Sequence, residues 1–106
     1  MPGRPEIVTL QVVNSSAVQL FWRNTPSPSP AAGSDDVTGY VINFTGVDSN
    51  NKPMEGTYQF PVFGSTQSVV IPNLRGGQRY MFQVAARNQY SFGPLSVPKT
   101  ADLPRV

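Results

Sequence analysis

Few residues of this chain have the types and spacing that acid–base, nucleophilic or metal chemistry requires. Its 106 residues include no cysteine and no histidine, which removes thiol nucleophiles, disulfides, zinc–thiolate sites and the commonest general base. The acidic pair Asp35-Asp36 has no histidine, cysteine or third carboxylate beside it. We interpret this pair as solvated turn residues. The sequence therefore predicts no catalytic, cofactor-binding or metal site, and we expect the chain not to be an enzyme.

The charge pattern argues against nucleic acid and the membrane interior as partners. Eight basic and six acidic residues give a formal charge of +2, and the basic residues are scattered. Surfaces that bind a phosphate backbone carry clustered cations instead. No apolar stretch approaches the roughly 20 residues needed to span a bilayer. We therefore expect no nucleic-acid partner and no direct membrane insertion.

Two asparagines, Asn14 and Asn43, stand two residues before a serine or threonine and so fit the acceptor pattern for N-linked glycans. Asn14 falls in an expected turn, where asparagine and serine are common for other reasons. Alternation places Asn43 on the outward side of a strand, where it could carry a glycan. Because the pattern also arises by chance, both residues are candidate sites of glycosylation only.

Alternation of apolar and polar residues with a period of two positions dominates the rest of the chain. Eleven prolines and nine glycines are dispersed through it, which is too many for a helical protein. The spacing of turn residues predicts an all-β fold, a seven-stranded antiparallel Greek-key sandwich of the immunoglobulin-like kind. The predicted strands are Glu6–Val13, Ala17–Arg23, Gly39–Thr45, Thr57–Phe63, Ser68–Ile71, Arg79–Asn88 and Leu95–Thr100.

These strands must supply a single core, because the chain has the length of one domain. We place that domain at residues 5–100, with residues 1–4 and 101–106 as linkers. Pro61 predicts that the fourth strand is a sheet edge, where a missing N–H discourages pairing with other chains. The residues predicted to point inward are Val8, Leu10, Val18, Leu20, Trp22, Tyr40, Ile42, Phe44, Ile71, Leu74, Tyr80, Phe82, Val84 and Ala86.

A series of marks along the chain resembles the fibronectin type III family. The series covers about residues 5–100 and is specific in its order and spacing, although each mark is weak alone. The marks are Trp22 closing the second strand, Gly39-Tyr40 opening the third, Ile71 and Leu74 before Tyr80, and Ala86 and Asn88 before Gly93-Pro94 and Ser96. The resemblance implies a non-catalytic module that spaces its neighbours and binds proteins.

The family topology implies how the strands are shared between the two sheets. The first, second and fifth strands would form one sheet, and the third, fourth, sixth and seventh the other. The loops Asn24–Thr38, Gly64–Gln67 and Asn88–Gly93 would then meet at one end of the sandwich. The hydroxyl of Tyr80 would bond to backbone a few residues upstream, near Leu74, as a tyrosine corner.

Family members that bind integrins often carry Arg-Gly-Asp in the loop before the last strand. That motif is absent from the loop Asn88–Gly93, which argues against integrin binding by this route. The loop carries Tyr90 and Phe92 instead, beside the proline-rich segment Pro26–Pro30, and aromatic loop tips are favoured at interfaces. Alternatively, either ring packs down onto its neighbours as a cap on the core.

A second candidate surface is the outward row of Val41, Met81 and Arg87. Methionine and arginine are enriched at protein interfaces, whereas a purely solvated face would hold more lysine and glutamate. The sixth strand and its approach also carry Arg75, Arg79 and Arg87, and the alternatives for these arginines are that they bind heparin-like polyanions or that they are simply solvated. We therefore name Tyr90, Phe92, Val41, Met81 and Arg87 as candidate protein-binding residues.

The sequence leaves three settings open. The first is the extracellular part of a receptor, adhesion or matrix protein, with a protein partner, neighbouring domains of the same chain and no cofactor. The second is an intracellular mechanical spacer of a giant muscle-type protein. The third is an accessory domain of a secreted polysaccharide-degrading enzyme. In isolation we expect a monomer, because Pro61 in the edge strand discourages pairing with other chains.

Overall fold

The computed structural model describes residues 2–25 and 37–106, and in these residues it contains seven β-strands and no helix. The prediction of an all-β chain with seven strands is therefore confirmed. The strands are β1 (Glu6–Asn14), β2 (Ala17–Arg23), β3 (Gly39–Val47), β4 (Tyr58–Phe63), β5 (Ser68–Ile71), β6 (Arg79–Arg87) and β7 (Lys99–Asp102).

Two antiparallel sheets pack face to face as a sandwich. One sheet has three strands in the order β1-β2-β5, and the other has four in the order β4-β3-β6-β7, so the strands are shared between the sheets as the resemblance implied. β4, which contains the exposed Pro61, lies at an edge. The core between the sheets is formed by apolar side chains from both. Its buried residues are Ile7, Val18, Leu20, Trp22, Tyr40, Ile42, Ile71, Leu74, Phe82, Val84, Ala86 and Leu103.

The core prediction is wrong at Val8, whose side chain is 60% exposed. Ile7 is opposite Trp22 and Thr9 is opposite Phe21, so Val8 is an extra residue in a β-bulge. A bulge shifts the alternation by one position, which turns Ile7 into the core in place of Val8. The other predicted core residues are buried or pack against the core.

The last strand begins at Lys99, four residues later than predicted. Two prolines flank the intervening stretch and cannot donate to a ladder. Ser96 keeps this stretch attached to β6: its N–H donates to the carbonyl of Val84 at 2.7 Å, and its hydroxyl oxygen accepts from the Val84 N–H at 2.9 Å. A serine side chain thus replaces a backbone acceptor where the strand was expected.

The two ends of the described chain pack against opposite ends of the sandwich. Pro2 lies against Gly93, where a Cβ atom would clash with the Pro2 carbonyl oxygen. At the other end Leu103 is buried, past the boundary predicted at residue 100, and its carbonyl accepts from the Gly77 N–H at 3.0 Å. The Leu103 N–H donates to the carbonyl of Gln78, also at 3.0 Å. Both terminal segments are therefore attached to the domain.

The tyrosine corner is present. The hydroxyl of Tyr80 accepts a hydrogen bond from the backbone N–H of Arg75 at 2.9 Å, one residue from the predicted position near Leu74. The Leu74 N–H in turn donates to the carbonyl of Ser16, which joins the same segment to the β1–β2 turn. One side-chain hydroxyl thus holds the β5–β6 crossover in place.

Replacing Tyr80 with phenylalanine is expected to lower the free energy of unfolding by roughly 1–2 kcal/mol, because the Arg75 N–H loses its partner while the ring remains. Equilibrium urea unfolding measures the change. Tyr58→Phe is the matched control, since the Tyr58 hydroxyl makes only an exposed bond to Glu55 at 3.3 Å. Equal effects at the two positions would contradict a special role for the corner.

Candidate protein-binding surface

The outer face of the four-stranded sheet carries three of the candidate residues. Val41 of β3 is opposite Ala85 of β6, and Met81 of β6 is opposite Thr45 of β3. Their chain neighbours Tyr40, Ile42, Tyr80 and Phe82 belong to the core or pack against it, so Val41, Met81 and Arg87 point outward. All three are partly exposed. Ala85 has the same parity but is buried, and it adds no contact area.

A row of four residues crosses this face beside the 88–93 loop, and we call it the Arg87 row. Gly39 of β3 is opposite Phe63 of β4 on one side and opposite Arg87 of β6 on the other. Arg87 also forms a bridge with Phe92. The Arg87 row therefore runs Phe63, Gly39, Arg87, Phe92 across adjacent chain segments.

Glycine at position 39 allows this row to form. A Cβ atom there would lie 2.7 Å from the carbonyl oxygen of Val62 and about 3.5 Å from the Arg87 side chain. The apolar stem of Arg87 thus occupies the space beside Gly39. The backbone just before Gly39 is bonded to both neighbouring segments. The Thr38 N–H donates to the Arg87 carbonyl at 2.8 Å, and the Gly64 N–H donates to the Thr38 carbonyl at 2.9 Å.

The guanidinium of Arg87 lies 5.4 Å from the centre of the Phe92 ring, a cation–π distance. Its Nε atom is buried and has no hydrogen-bond partner among the described residues. Within that part of the chain the ion pairs are Arg23–Glu6 and Arg79–Asp102, so no described carboxylate neutralises Arg87. Arg87 is therefore a positioned cation without an acidic partner in residues 2–25 and 37–106.

Arg79, at the other end of β6, is already neutralised. Its Nε donates to Asp102 Oδ1 at 2.6 Å, and a terminal nitrogen donates to the Asn51 side chain at 3.1 Å. The hydrogen bond from Arg79 holds the pKa of Asp102 below its ordinary value of 3.8. Arg79 and Arg87 therefore do not act as one basic patch.

The Arg79–Asp102 pair predicts a small pH-dependent contribution to stability. A carboxyl whose pKa is lower in the folded state stabilises the fold above its unfolded pKa, and that contribution is lost as the pH falls through the folded pKa. Asp102→Asn is therefore expected to be less stable than wild type at about pH 7 and equal to it at about pH 2. Urea unfolding at both pH values measures this. A difference that persists unchanged in acid would contradict the assignment.

Tyr90 projects from the 88–93 loop and is 78% exposed. The loop is closed by Asn88, whose side-chain oxygen accepts from the backbone N–H groups of Tyr90 and Ser91, both at 2.8 Å. Phe92 is 52% exposed and contacts Arg87, so it does not cap the core. The segment Pro26–Pro30, predicted to lie beside this loop, and Asp35-Asp36 fall outside the described residues.

Among the residues that the structure describes, this face combines exposed aromatic side chains, an arginine without an ion pair and a neutral centre. Such a surface is suited to binding another protein, since interface hot spots are enriched in aromatic residues and arginine. Comparison with known sequences then identifies the family, since residues 3–102 match the fibronectin type III domain. The chain belongs to the fibronectin type III family.

Relatives of this fibronectin type III domain occur within much longer proteins. It is 30% identical over 95 residues to human integrin beta-4, covering 89% of this chain and 5% of that protein. It is 30% identical over 90 residues to human neogenin, covering 85% and 6%. Rat pikachurin matches with 26% identity over 99 residues, covering 92% and 9%. The chain thus spans less than a tenth of each of these relatives.

Solved structures agree on the fold. The third fibronectin III domain of human KIAA0343 protein superimposes with a TM-score of 0.79 at 24% identity, covering 100% of this chain and 86% of that one. The FN5 domain of Drosophila Lar gives a TM-score of 0.75 at 21% identity, covering 98% of each chain. The described residues include no helix that could span a membrane and no group of acidic residues placed to hold a metal ion.

The fibronectin type III domain contains surface residues that sequence reasoning missed. Phe63 is 76% exposed and lies on the outer face of the four-stranded sheet. It is two positions after Pro61 on β4, and this spacing predicts that both side chains point the same way. Gly39 was recognised as a family mark and not as the centre of a surface row. The contact between the Arg87 guanidinium and the Phe92 ring depends on the path of the 88–93 loop, and alternation does not predict that path.

The two candidate glycosylation sites differ in their surroundings. Asn14 is exposed, and its side-chain oxygen accepts from the Ser16 N–H at 2.9 Å in the β1–β2 turn. Asn43 is partly buried between Gln59 and Gln83 on the outer face, and its side-chain oxygen is buried without a partner among the described residues. Use of either site stays a prediction.

A separate groove of ≈ 560 Å³ lies at the far end of the sandwich. Phe44, Tyr58 and Tyr80 line it, with Glu55 and Arg75 among its polar residues. Two of these rings are already stacked, with the centres of Phe44 and Tyr58 5.5 Å apart, and Tyr80 belongs to the corner. The groove therefore exposes side chains that have structural roles.

Proposed function

We propose that this fibronectin type III domain is a non-catalytic protein-interaction and spacer module from the extracellular region of a cell-surface receptor, adhesion or matrix protein. The relatives in integrin beta-4 and neogenin support a module of adhesion proteins and receptors. The partner contacts the outer face of the four-stranded sheet and the adjoining tip of the 88–93 loop. Neighbouring domains of the same chain attach through the two terminal segments.

The observation that carries this proposal is the exposed aromatic tip next to a sheet face that has no charged residue between Arg79 and Arg87 on β6. Tyr90 is 78% exposed, yet Asn88 holds the backbone of its loop by hydrogen bonds. Little backbone entropy is therefore lost when the ring binds a partner. Val41 extends the apolar surface along the sheet, and Met81 lies farther along β6, beyond the polar pair Asn43 and Gln83. In contrast, a face that serves only as solvated surface would carry lysine and glutamate, and neither occurs at the outward positions of β3 and β6.

The interaction is tested by calorimetric titration of the natural partner, found by proximity labelling of the parent protein, against Tyr90→Ala and Met81→Asp. We expect each variant to bind at least about tenfold more weakly, the size of a hot-spot truncation. Phe21→Ala is the matched control, because Phe21 is an exposed aromatic residue on the other sheet. Unchanged affinity in both variants would favour a module that only spaces its neighbours.

The extracellular setting has its own test, since the fibronectin type III region of integrin beta-4 is intracellular. A peptide tag inserted at the exposed turn Gly64–Ser65 of the full parent protein is stained with antibody on intact cells and on permeabilised cells. Staining of intact cells is the expected result. Staining only after permeabilisation would place the domain inside the cell.

A further inference from the structure

We infer that the Arg87 row recognises a carboxylate, namely an Asp or Glu in an extended acidic segment of the partner protein, flanked by an apolar side chain. The inference rests on the proposed function and adds the chemistry of the partner. Arg87 is the charged residue on this face for which the described residues provide no ion pair.

The orientation of Arg87 is set before any partner binds. Its stem occupies the space beside Gly39, and its guanidinium lies over the Phe92 ring at 5.4 Å. Because Nε is buried, only the two terminal nitrogens remain to meet a ligand. Two parallel N–H donors on a fixed plane match the two oxygens of a carboxylate, and a charge-assisted bond of this kind is stronger than a neutral one.

Charge complementarity selects an acidic ligand. The four described acidic residues lie away from this row: Glu6 pairs with Arg23, Asp102 pairs with Arg79, and Asp48 and Glu55 belong to the β3–β4 connection at the far end of β3. The chain also has a formal charge of +2, which favours encounter with an acidic partner. An arriving carboxylate therefore meets an unneutralised cation and no like charge among the described residues.

The apolar part of the ligand is indicated by the rings at either end of the row. Phe63 is 76% exposed on the side of β4, and Tyr90 is exposed beside Phe92 on the other side. Adjacent strands are about 4.8 Å apart, so Phe63 and Arg87 lie about 10 Å apart across Gly39. Side chains two positions apart in an extended segment point to the same side and start about 7 Å apart, so their own length lets one reach the ring and the other the guanidinium.

A polyanion such as heparin fits this surface less well. Polyanion binding needs several cations close together. The nearest arginine on the same strand, Arg79, is eight residues away, or about 26 Å along β6, and it is paired with Asp102. The outward positions of β3 and β6 thus offer a single arginine without an ion pair, and this arrangement suits a single carboxylate better than a polyanion.

The test is selection of linear peptides from a random phage-displayed library on the intact domain, followed by fluorescence-polarisation affinities for the selected peptides. We expect the enriched peptides to share an Asp or Glu two positions from an apolar residue. We expect Arg87→Gln to weaken them at least about tenfold, and the same loss when the acid in the peptide becomes its amide. In the double substitution the second change should add little, as for any coupled pair.

Two control variants separate the donor geometry of Arg87 from its charge and from general effects of removing an arginine. Arg87→Lys keeps the charge and the stem, so it should fold, and it should still lose affinity because the planar pair of donors is gone. Arg23→Gln, an exposed arginine on the other sheet, should leave affinity unchanged. Circular dichroism verifies that each variant is folded.

Several outcomes would overturn the inference. Enriched peptides that lack an acid, or that bind Arg87→Gln as tightly as wild type, would do so. A heparin fragment that binds through Arg87 while no peptide does would assign the row to polyanions. Binding that appears only after Asp35→Asn and Asp36→Asn would show that the chain's own acidic pair is the ligand. The proposed function fails separately, through the Tyr90 and Met81 variants with the natural partner.

Discussion

Replacing Trp22 with alanine will lower the free energy of unfolding by about 3–5 kcal/mol, a large share of the total stability of a domain this size. Trp22 is 3% exposed and lies between the two sheets, where its ring meets that of Tyr40 edge to face with centres 5.1 Å apart. Removing it leaves a cavity that neither sheet can close, because both are fixed by their ladders.

Urea unfolding followed by circular dichroism measures this loss. Phe21→Ala, the neighbouring position on the exposed side of β2, is the matched control and should cost much less. Trp22→Phe should fall between wild type and alanine: it loses ring area but also removes the indole N–H, which is buried without a partner among the described residues. A Trp22→Ala protein as stable as Phe21→Ala would contradict the assigned core.

Gly39→Ala is expected to cost about 2–3 kcal/mol, which is large for the addition of one methyl group. The new Cβ would meet the Val62 carbonyl oxygen at 2.7 Å, and this obstacle is backbone in the β3–β4 ladder and not a movable side chain. The methyl would touch the stem of Arg87 at about 3.5 Å, an ordinary van der Waals distance. The edge strand must then shift, and with it Phe63 of the Arg87 row.

Gly56→Ala is the matched control, because a Cβ at position 56 would meet no atom within 4 Å. Its stability should stay within about 0.5 kcal/mol of wild type. Urea unfolding compares the two, and amide chemical shifts of β3, β4 and Arg87 report whether the row has moved. Equal stability of the two variants would show that β4 relaxes freely at its edge position.

Sheet membership and most of the core were predictable because they follow from side-chain parity and from family marks. Trp22, Tyr80 and Leu74 are examples, since each occupies a core or corner position that packing two sheets face to face requires. Val8 was not predictable. Ile7 and Val8 are both apolar and β-branched, so either could face inward by alternation, and the bulge opposite β2 decides between them.

The start of β7 was missed for a similar reason. Alternation from Leu95 to Thr100 suits a strand, but the hydroxyl of Ser96 bonds to β6 where a backbone group was expected. The candidate surface was predictable only as single outward residues. The contact between Arg87 and Phe92 joins a strand to an irregular loop, and no periodicity relates those two positions.

Attachment of the terminal segments at opposite ends of the sandwich determines how the domain responds to tension. A force that pulls Pro2 and Val106 apart acts nearly along β1 and β7, since β1 begins near the Gly93 end and β7 finishes at the Gly77 end. The ladder bonds of antiparallel strands are perpendicular to the strands, so this force loads them together in shear and does not open them one by one. Rupture then requires several bonds of β1–β2 or β6–β7 to fail at once.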